Sequence, residues 1–299
     1  MKLRIGIFGV GKMGYPIACN LFDDGHDVIG FDITEQARKR LHEKKIRVAD
    51  TPREVMENAD VIFSALNECS QLATMMDGPD GLLAGYRPNG RSSAKVIFDL
   101  STSDPEDSVP LGESFIEKGI EYLDCAMTGG KVGAENRQLV FMAGGNKTIF
   151  DKYTPLLDRL AKSINFLGPL GCGHTMKLLH NAVSNSTFNV VIEATALGRM
   201  YDMDLQAMID VFNVGNARSY ATEVRFPKYI ISGTFDQGYT FNTGVKDFTM
   251  ILKTAERKSF RMPMSEETYN YWTYAKEMGL GEEDVTMLYN LINEKNAKK

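Results

Sequence analysis

Through about residue 167, short apolar runs rich in β-branched residues alternate with longer amphipathic stretches, and this alternation predicts a parallel β-sheet covered by helices. The predicted strands lie at 3–8, 27–31, 61–66, 96–100, 122–125, 139–143 and 164–167, with a weaker, shorter one at 46–48. Several of these runs are apolar at every position, as strands buried on both faces must be. Helix starts fall between them. Thr51-Pro52-Arg53-Glu54 offers a capping hydroxyl, a proline at the first helical position and a glutamate to close a capping box. Ser103-Asp104-Pro105-Glu106 repeats that logic. After the glycine-rich stretch 168–173 the periodicity becomes helical, with few strand signals. Its first segment can run unbroken from His174 to about Met200, a helix of about 40 Å that would serve as a spine between two domains. The expected organisation is therefore an α/β domain at 1–167 and an all-helical domain at 168–299, the latter ending in a polar, frayed tail at 293–299.

A length of 299 residues suits two domains, and 43% hydrophobic with 24% charged residues excludes global disorder. The net charge of -5 gives no general attraction to nucleic acid or to an anionic bilayer, so neither is expected as a partner. Cys19, Cys69, Cys125 and Cys172 are widely spaced and form no metal-binding pattern with the four histidines, which argues against a disulfide scaffold and against a bound metal. No apolar run is long enough to span a bilayer, and strand-like residues begin at Leu3. A soluble, cytoplasmic protein with reduced thiols is expected.

The first candidate chemistry lies at the first strand-to-helix turn. Gly9-Val10-Gly11-Lys12-Met13-Gly14 follows a strand and opens a helix. In that context Gly9 allows a tight turn, Gly11 lets a pyrophosphate approach the backbone, and Gly14 lets helix and strand pack closely. Asp32, eighteen residues after Gly14, stands at the end of the second strand, where it can accept both ribose hydroxyls and repel a 2'-phosphate. NAD is thus favoured over NADP, although Arg38, Lys39 and Arg40 on the next helix form either a solvated face or a phosphate contact. Thr102 begins the loop leaving another strand at the carboxyl edge, where ligands bind in open parallel sheets; a turn or cap role is the alternative.

A second group lies on the spine helix. Lys177 and Asn181 are four residues apart and share a face, which His174 and Ser184 extend; the face is either a site or the wet side of an amphipathic helix. Thr128-Gly129-Gly130 follows the strand ending near Cys125, and its backbone N–H groups and hydroxyl suit a carboxylate, with a bare turn as the alternative.

Together these segments resemble the β-hydroxyacid dehydrogenase family. The likeness rests on Gly9 to Leu21, on Asp124 with Thr128-Gly129-Gly130, on Gly171-Cys172-Gly173 ahead of Lys177 and Asn181, and on Lys246-Asp247. It implies a Rossmann-type doubly wound first domain, a long interdomain helix, an all-α second domain and a homodimer or homotetramer. By the same resemblance Lys177 is the catalytic lysine and Asn181 positions it or the substrate. Thr128, Gly129 and Gly130 bind the substrate carboxylate, Thr102 and Lys246 contact the cofactor, and Asp247 supports Lys246. The chain departs from the family at Ala126, Met127 and Thr128 in place of Pro-Val-Ser, and at His180 in place of an asparagine. The implied activity is hydride transfer between a nicotinamide and a small β-hydroxy acid or semialdehyde, with Lys177 supplying or taking the proton. Oxidative decarboxylation of a sugar acid is a second reading, for which Arg218, Arg225 and Lys228 are the candidate phosphate ligands. Imine reduction is a third, and a non-catalytic NAD-binding protein is a fourth, from another class. Phe235, Tyr239 and Phe241 either line a pocket or belong to the core.

Overall fold

The computed structural model describes residues 2–88 and 95–297, and divides into two units, Met1–Lys177 and Leu178–Lys299.

The first unit is built on eight strands: β1 (Arg4–Phe8), β2 (Asp27–Phe31), β3 (Arg47–Val48), β4 (Val61–Ser64), β5 (Val96–Asp99), β6 (Glu121–Thr128), β7 (Leu139–Gly144) and β8 (Ala161–Gly168). They form one sheet in the order β3-β2-β1-β4-β5-β6-β7-β8. Helices α1 (Gly14–Asp23), α2 (Glu35–Glu43), α3 (Pro52–Asn58), α4 (Cys69–Thr74), α5 (Leu82–Gly85), α6 (Pro105–Glu117), α7 (Gly130–Glu135) and α8 (Lys147–Leu157) connect them. The apolar strand runs are buried on both faces: Ile5, Ile7, Phe63 and Phe98 belong to one core cluster, Phe8, Ile62 and Ile97 to another. This is the predicted α/β architecture.

Two local expectations are refined. At α3, the Thr51 hydroxyl accepts from the Glu54 amide at 3.2 Å, while the Glu54 carboxylate reaches past the cap to the Asp50 amide at 2.7 Å. At α6 the capping side chain is Asp104, and the Ser103 hydroxyl instead accepts from the Cys69 amide at 2.8 Å, tying the loop after β5 to α4.

The sheet is not parallel throughout, because β7 runs antiparallel to β6. Only residues 129–138 separate the two strands, and a parallel crossover needs a dozen or more. The reversal brings the end of β7 back to the middle of β6, with Gly144 opposite Asp124. There the long helix α9 (Cys172–Arg199) begins: the Asp124 carboxylate accepts from the Gly171 amide at 2.9 Å and the His174 amide at 2.7 Å. For this reason the first turns of α9 belong to the sheet unit, and the division falls after Lys177 instead of at the glycine-rich loop.

A second anchor suits a stability test. The Asp24 carboxylate, after α1, accepts from Arg137 at 2.7 Å and from two nitrogens of Arg159 at 3.1 and 3.0 Å. Hydrogen bonds from Arg159 and Arg137 hold its pKa far below the usual carboxylate value. The resulting stabilisation is complete above the unfolded carboxylate pKa near 3.9 and is lost as pH falls towards the depressed native value. Asp24→Asn is expected to cost about 1–2 kcal/mol at pH 7 and to flatten the dependence of Tm on pH below about pH 4; unchanged acid sensitivity in the variant would dismiss this anchor.

The second unit contains the rest of α9, followed by α10 (Leu205–Val214), a π-helical segment Ala221–Ile231, α11 (Phe241–Arg257), α12 (Pro263–Ala275) and α13 (Leu288–Ala297). The last helix runs through Ala297, so the expected frayed tail is helical over its described part. The core gathers Phe188, Phe226, Phe241, Phe248 and Trp272. On α9 polar and apolar residues share the buried side: Asn181, Asn185 and Asn189, at successive four-residue steps, are buried with Leu178, Phe188 and Ile192, whereas Val183, Val190 and Leu197 are exposed.

Candidate active site

Within the first unit, β1, β4, β5 and β6 are parallel, so the loops that leave them emerge at one carboxyl edge. Gly9 has φ of 77°, and a Cβ there would meet the Ala65 carbonyl oxygen at 2.7 Å. A Cβ on Gly14 would fall 1.8 Å from the Gly9 carbonyl oxygen, whereas one on Gly11 would meet nothing within 4 Å. The outer two glycines are thus required by internal packing and the middle one by open space above it, as a cradle for an approaching phosphate requires. Helix α1 has no side-chain cap, so the N–H groups at its start are not taken by a capping side chain and suit an anion.

Asp32 closes this loop from the end of β2. Its Oδ2 accepts from the Val10 amide at 2.9 Å, and its Oδ1 from the amide and hydroxyl of Thr34, both at 2.8 Å. Of the basic residues on α2, Arg40 donates to the Val10 carbonyl at 2.8 Å and lies over the Tyr15 ring, and Arg38 faces Asp50 at 3.9 Å. Lys12, Met13 and Thr102 complete the predicted cofactor contacts; the Thr102 amide donates to the Asn67 carbonyl at 3.3 Å, so the loops after β4 and β5 are joined. The residues present fit a dinucleotide.

Further along the same edge, Thr128 ends β6 and is followed by Gly129 (φ 124°) and Gly130 (φ 61°), both exposed. Gly129 is the N-cap of α7 and Gly130 its first residue, and no side chain caps this helix start. Four residues earlier, Asp124 is fully buried, and burial pushes its carboxyl above the ordinary value while His174 and the amide donors act the other way. The surroundings are tight: a Cβ on Gly144 would lie 2.6 Å from Asp124 Oδ1, and one on Gly173 2.4 Å from the Met142 carbonyl oxygen. Asp124 therefore caps α9 from a strand and fixes where Lys177, three residues beyond His174, sits relative to the sheet. Lys177 is partly buried. The His174 side chain is fully buried and its ring nitrogens reach no hydrogen-bond partner among the described residues, so it packs inside instead of extending the Lys177 face.

The second unit brings together Asn181, Lys246 and Asp247. The buried Asp247 Oδ2 accepts from Asn181 Nδ2 at 2.8 Å and from the Tyr239 hydroxyl at 2.6 Å; Lys246 Nζ lies 3.7 Å from Oδ1. The expected support of Lys246 by Asp247 is thus a loose charge pair, and the short bonds go to Asn181 and Tyr239. Since Asn181 Nδ2 is committed to Asp247, its Oδ1 faces elsewhere, 3.2 Å from His180 Nδ1, and keeps a lone pair for a further donor. The buried asparagines repeat this use: Asn185 Oδ1 accepts from Arg225, and Asn189 Oδ1 from Trp272 Nε1 at 3.0 Å. Phe241 is core, packed edge-on against Trp272. Arg218, Arg225 and Lys228 do not converge. Arg225 is buried, Arg218 is exposed beside Glu223, and Lys228 is exposed over the Tyr229 ring. Among the described residues no three His, Cys, Asp or Glu side chains group as metal ligands, and no helix is long and apolar enough to cross a membrane.

Known proteins share this sequence and fold. Residues 4–168 match a family model described as the NAD binding domain of 6-phosphogluconate dehydrogenase, and residues 171–292 one described as the NAD-binding of NADP-dependent 3-hydroxyisobutyrate dehydrogenase. The 2-(hydroxymethyl)glutarate dehydrogenase of Eubacterium barkeri is 29% identical over 285 residues, covering 95% of this chain and 93% of that protein. A probable mitochondrial 3-hydroxyisobutyrate dehydrogenase of Dictyostelium discoideum is 29% identical over 300 residues, covering 98% and 92% respectively. The solved structure of Mycobacterium tuberculosis 3-hydroxyisobutyrate dehydrogenase with L-serine has the same fold, with a TM-score of 0.88 at 22% identity over 98% of this chain and 99% of that one.

Proposed function

The chain belongs to the β-hydroxyacid dehydrogenase family and is an NAD(P)-dependent oxidoreductase, and we propose that it uses NAD to interconvert a small β-hydroxy acid and its semialdehyde, with Lys177 as general acid and base. When bound, the dinucleotide supplies or accepts the hydride. Everything else falls to groups of this protein.

The observation that carries this reading is the locked Asn181 amide one helical turn beyond Lys177. A free amide would rotate. Held by Asp247, it presents a carbonyl oxygen of fixed direction, suited to orient an ammonium or a substrate hydroxyl. In reduction, Lys177 gives a proton to the oxygen on which negative charge grows; in oxidation, the neutral amine takes the hydroxyl proton. Thr128, Gly129 and Gly130 supply donors for the carboxylate, and Lys246 and Thr102 attend the cofactor. A small acid substrate agrees with the named activities of the Eubacterium barkeri and Dictyostelium relatives.

The preference for NAD rests on Asp32. Its carboxylate stands where a 2'-phosphate would be repelled, while Arg38 and Arg40 are turned to Asp50 and to the glycine loop. The test is reduced-nicotinamide absorbance with 3-hydroxyisobutyrate, 2-(hydroxymethyl)glutarate and succinic semialdehyde, each with both cofactors. Turnover of at least one acid, faster with NAD, is expected, and Asp32→Ala is expected to narrow the NAD to NADP ratio of kcat/KM by about tenfold or more. Melting-temperature shifts with NAD but no turnover of any acid would overturn the assignment.

A further inference from the structure

Two side chains donate to one oxygen of the buried Asp247 carboxylate on α11: Asn181 Nδ2 at 2.8 Å and the Tyr239 hydroxyl at 2.6 Å, both to Oδ2. Tyr239 comes from the segment just ahead of α11, with its ring edge-on to the core residue Trp272. Burial and the Asp247 carboxylate push its phenol well above the ordinary value, so it keeps its proton and donates.

A carboxylate only accepts, so an amide that donates to it must show its own oxygen on the other side, and a second donor on the same carboxylate oxygen leaves that acceptor little freedom to turn. We propose that Tyr239 is a positioning residue: by its bond to Asp247 Oδ2 it fixes the acceptor on which the Asn181 amide is held, and so keeps the Asn181 oxygen directed at the reacting group. The inference rests on the role given to Asn181 under Proposed function.

The test is a cycle on the full-length protein. Tyr239→Phe removes one oxygen and keeps the ring among its neighbours; it is expected to lower kcat roughly tenfold, with KM for NAD changed less than about twofold. In an Asn181→Ala background the same change is expected to alter the residual kcat less than about twofold, because the amide it acts through is gone. An equal loss in both backgrounds, or none in the wild-type background, overturns the proposal. A readout without substrate separates it from the functional reading. The Asn181 side-chain amide protons, identified by their absence in Asn181→Ala, should exchange slowly in the wild type and quickly in Tyr239→Phe. Unchanged protection overturns the positioning role even if the enzyme turns over; lost protection supports it even if none of the acids is a substrate.

Discussion

Replacing Lys177 with alanine is expected to lower kcat by roughly 10² to 10⁴ while the Kd for NAD stays within about twofold. The two parts of this result have separate structural origins. The glycine loop and Asp32 form a closed set, with Asp32 bonded to Val10 and Thr34, and Lys177 takes no part in it. Dinucleotide affinity should therefore survive. Turnover should not, since no other described lysine stands one turn from the locked Asn181 amide on α9. Lys177→Arg is the sharper variant, because a guanidinium keeps the charge but does not give up its proton near neutral pH. Steady-state kinetics with calorimetry for NAD would read both quantities, and near-normal kcat in Lys177→Ala would end the assignment.

Gly14→Ala should give the opposite pattern, losing the cofactor before the chemistry. The new methyl carbon would stand 1.8 Å from the Gly9 carbonyl oxygen and 3.1 Å from the Ala65 Cβ, and the nearest atom is backbone that cannot swing aside. Either α1 moves away from the loop or the Gly9 turn opens. Overpacking of this kind costs about 1–3 kcal/mol, which corresponds to a Kd for NAD raised about tenfold or more if the strain is released by opening the cradle. Gly11→Ala meets no atom of the protein itself, so its effect should appear only when NAD is present. Titration of both variants with NAD, with Tm as a control, checks the contrast; unchanged affinity in Gly14→Ala would show that the helix start does not shape the cradle.

How much of this was readable in the sequence follows from the range of each signal. Gly9, Gly11, Gly14 and Asp32 form a short-range pattern whose physical requirement is local, and the loop they predict is the one observed. Strand positions were readable for the same reason. The direction of β7 was not, because an apolar run reads alike in either sense; the brief link 129–138 was the available clue. Helical periodicity placed Lys177 and Asn181 on one face but could not say which face of α9 is inside. The repeated asparagines 181, 185 and 189 look solvent-facing by type, yet each is buried because α11, α12 or the π-helical segment brings it a partner. Asp124 capping a helix fifty residues later, and Asn181 and Tyr239 meeting on one oxygen of Asp247, depend on long-range contacts that spacing does not encode.

The carboxylate inside β6 also settles where this architecture can be cut. A fragment ending at Gly168 would keep Asp124 but remove both amides that satisfy it, stranding an anion among apolar neighbours. Nucleotide-binding modules transplanted onto a new helical partner would thus need their seam after Lys177, carrying the opening turns of the spine with them. The proposed proton-handling residue consequently travels with the half that grips the coenzyme, and a newly grafted partner would inherit the chemistry while being free to vary what it is performed upon.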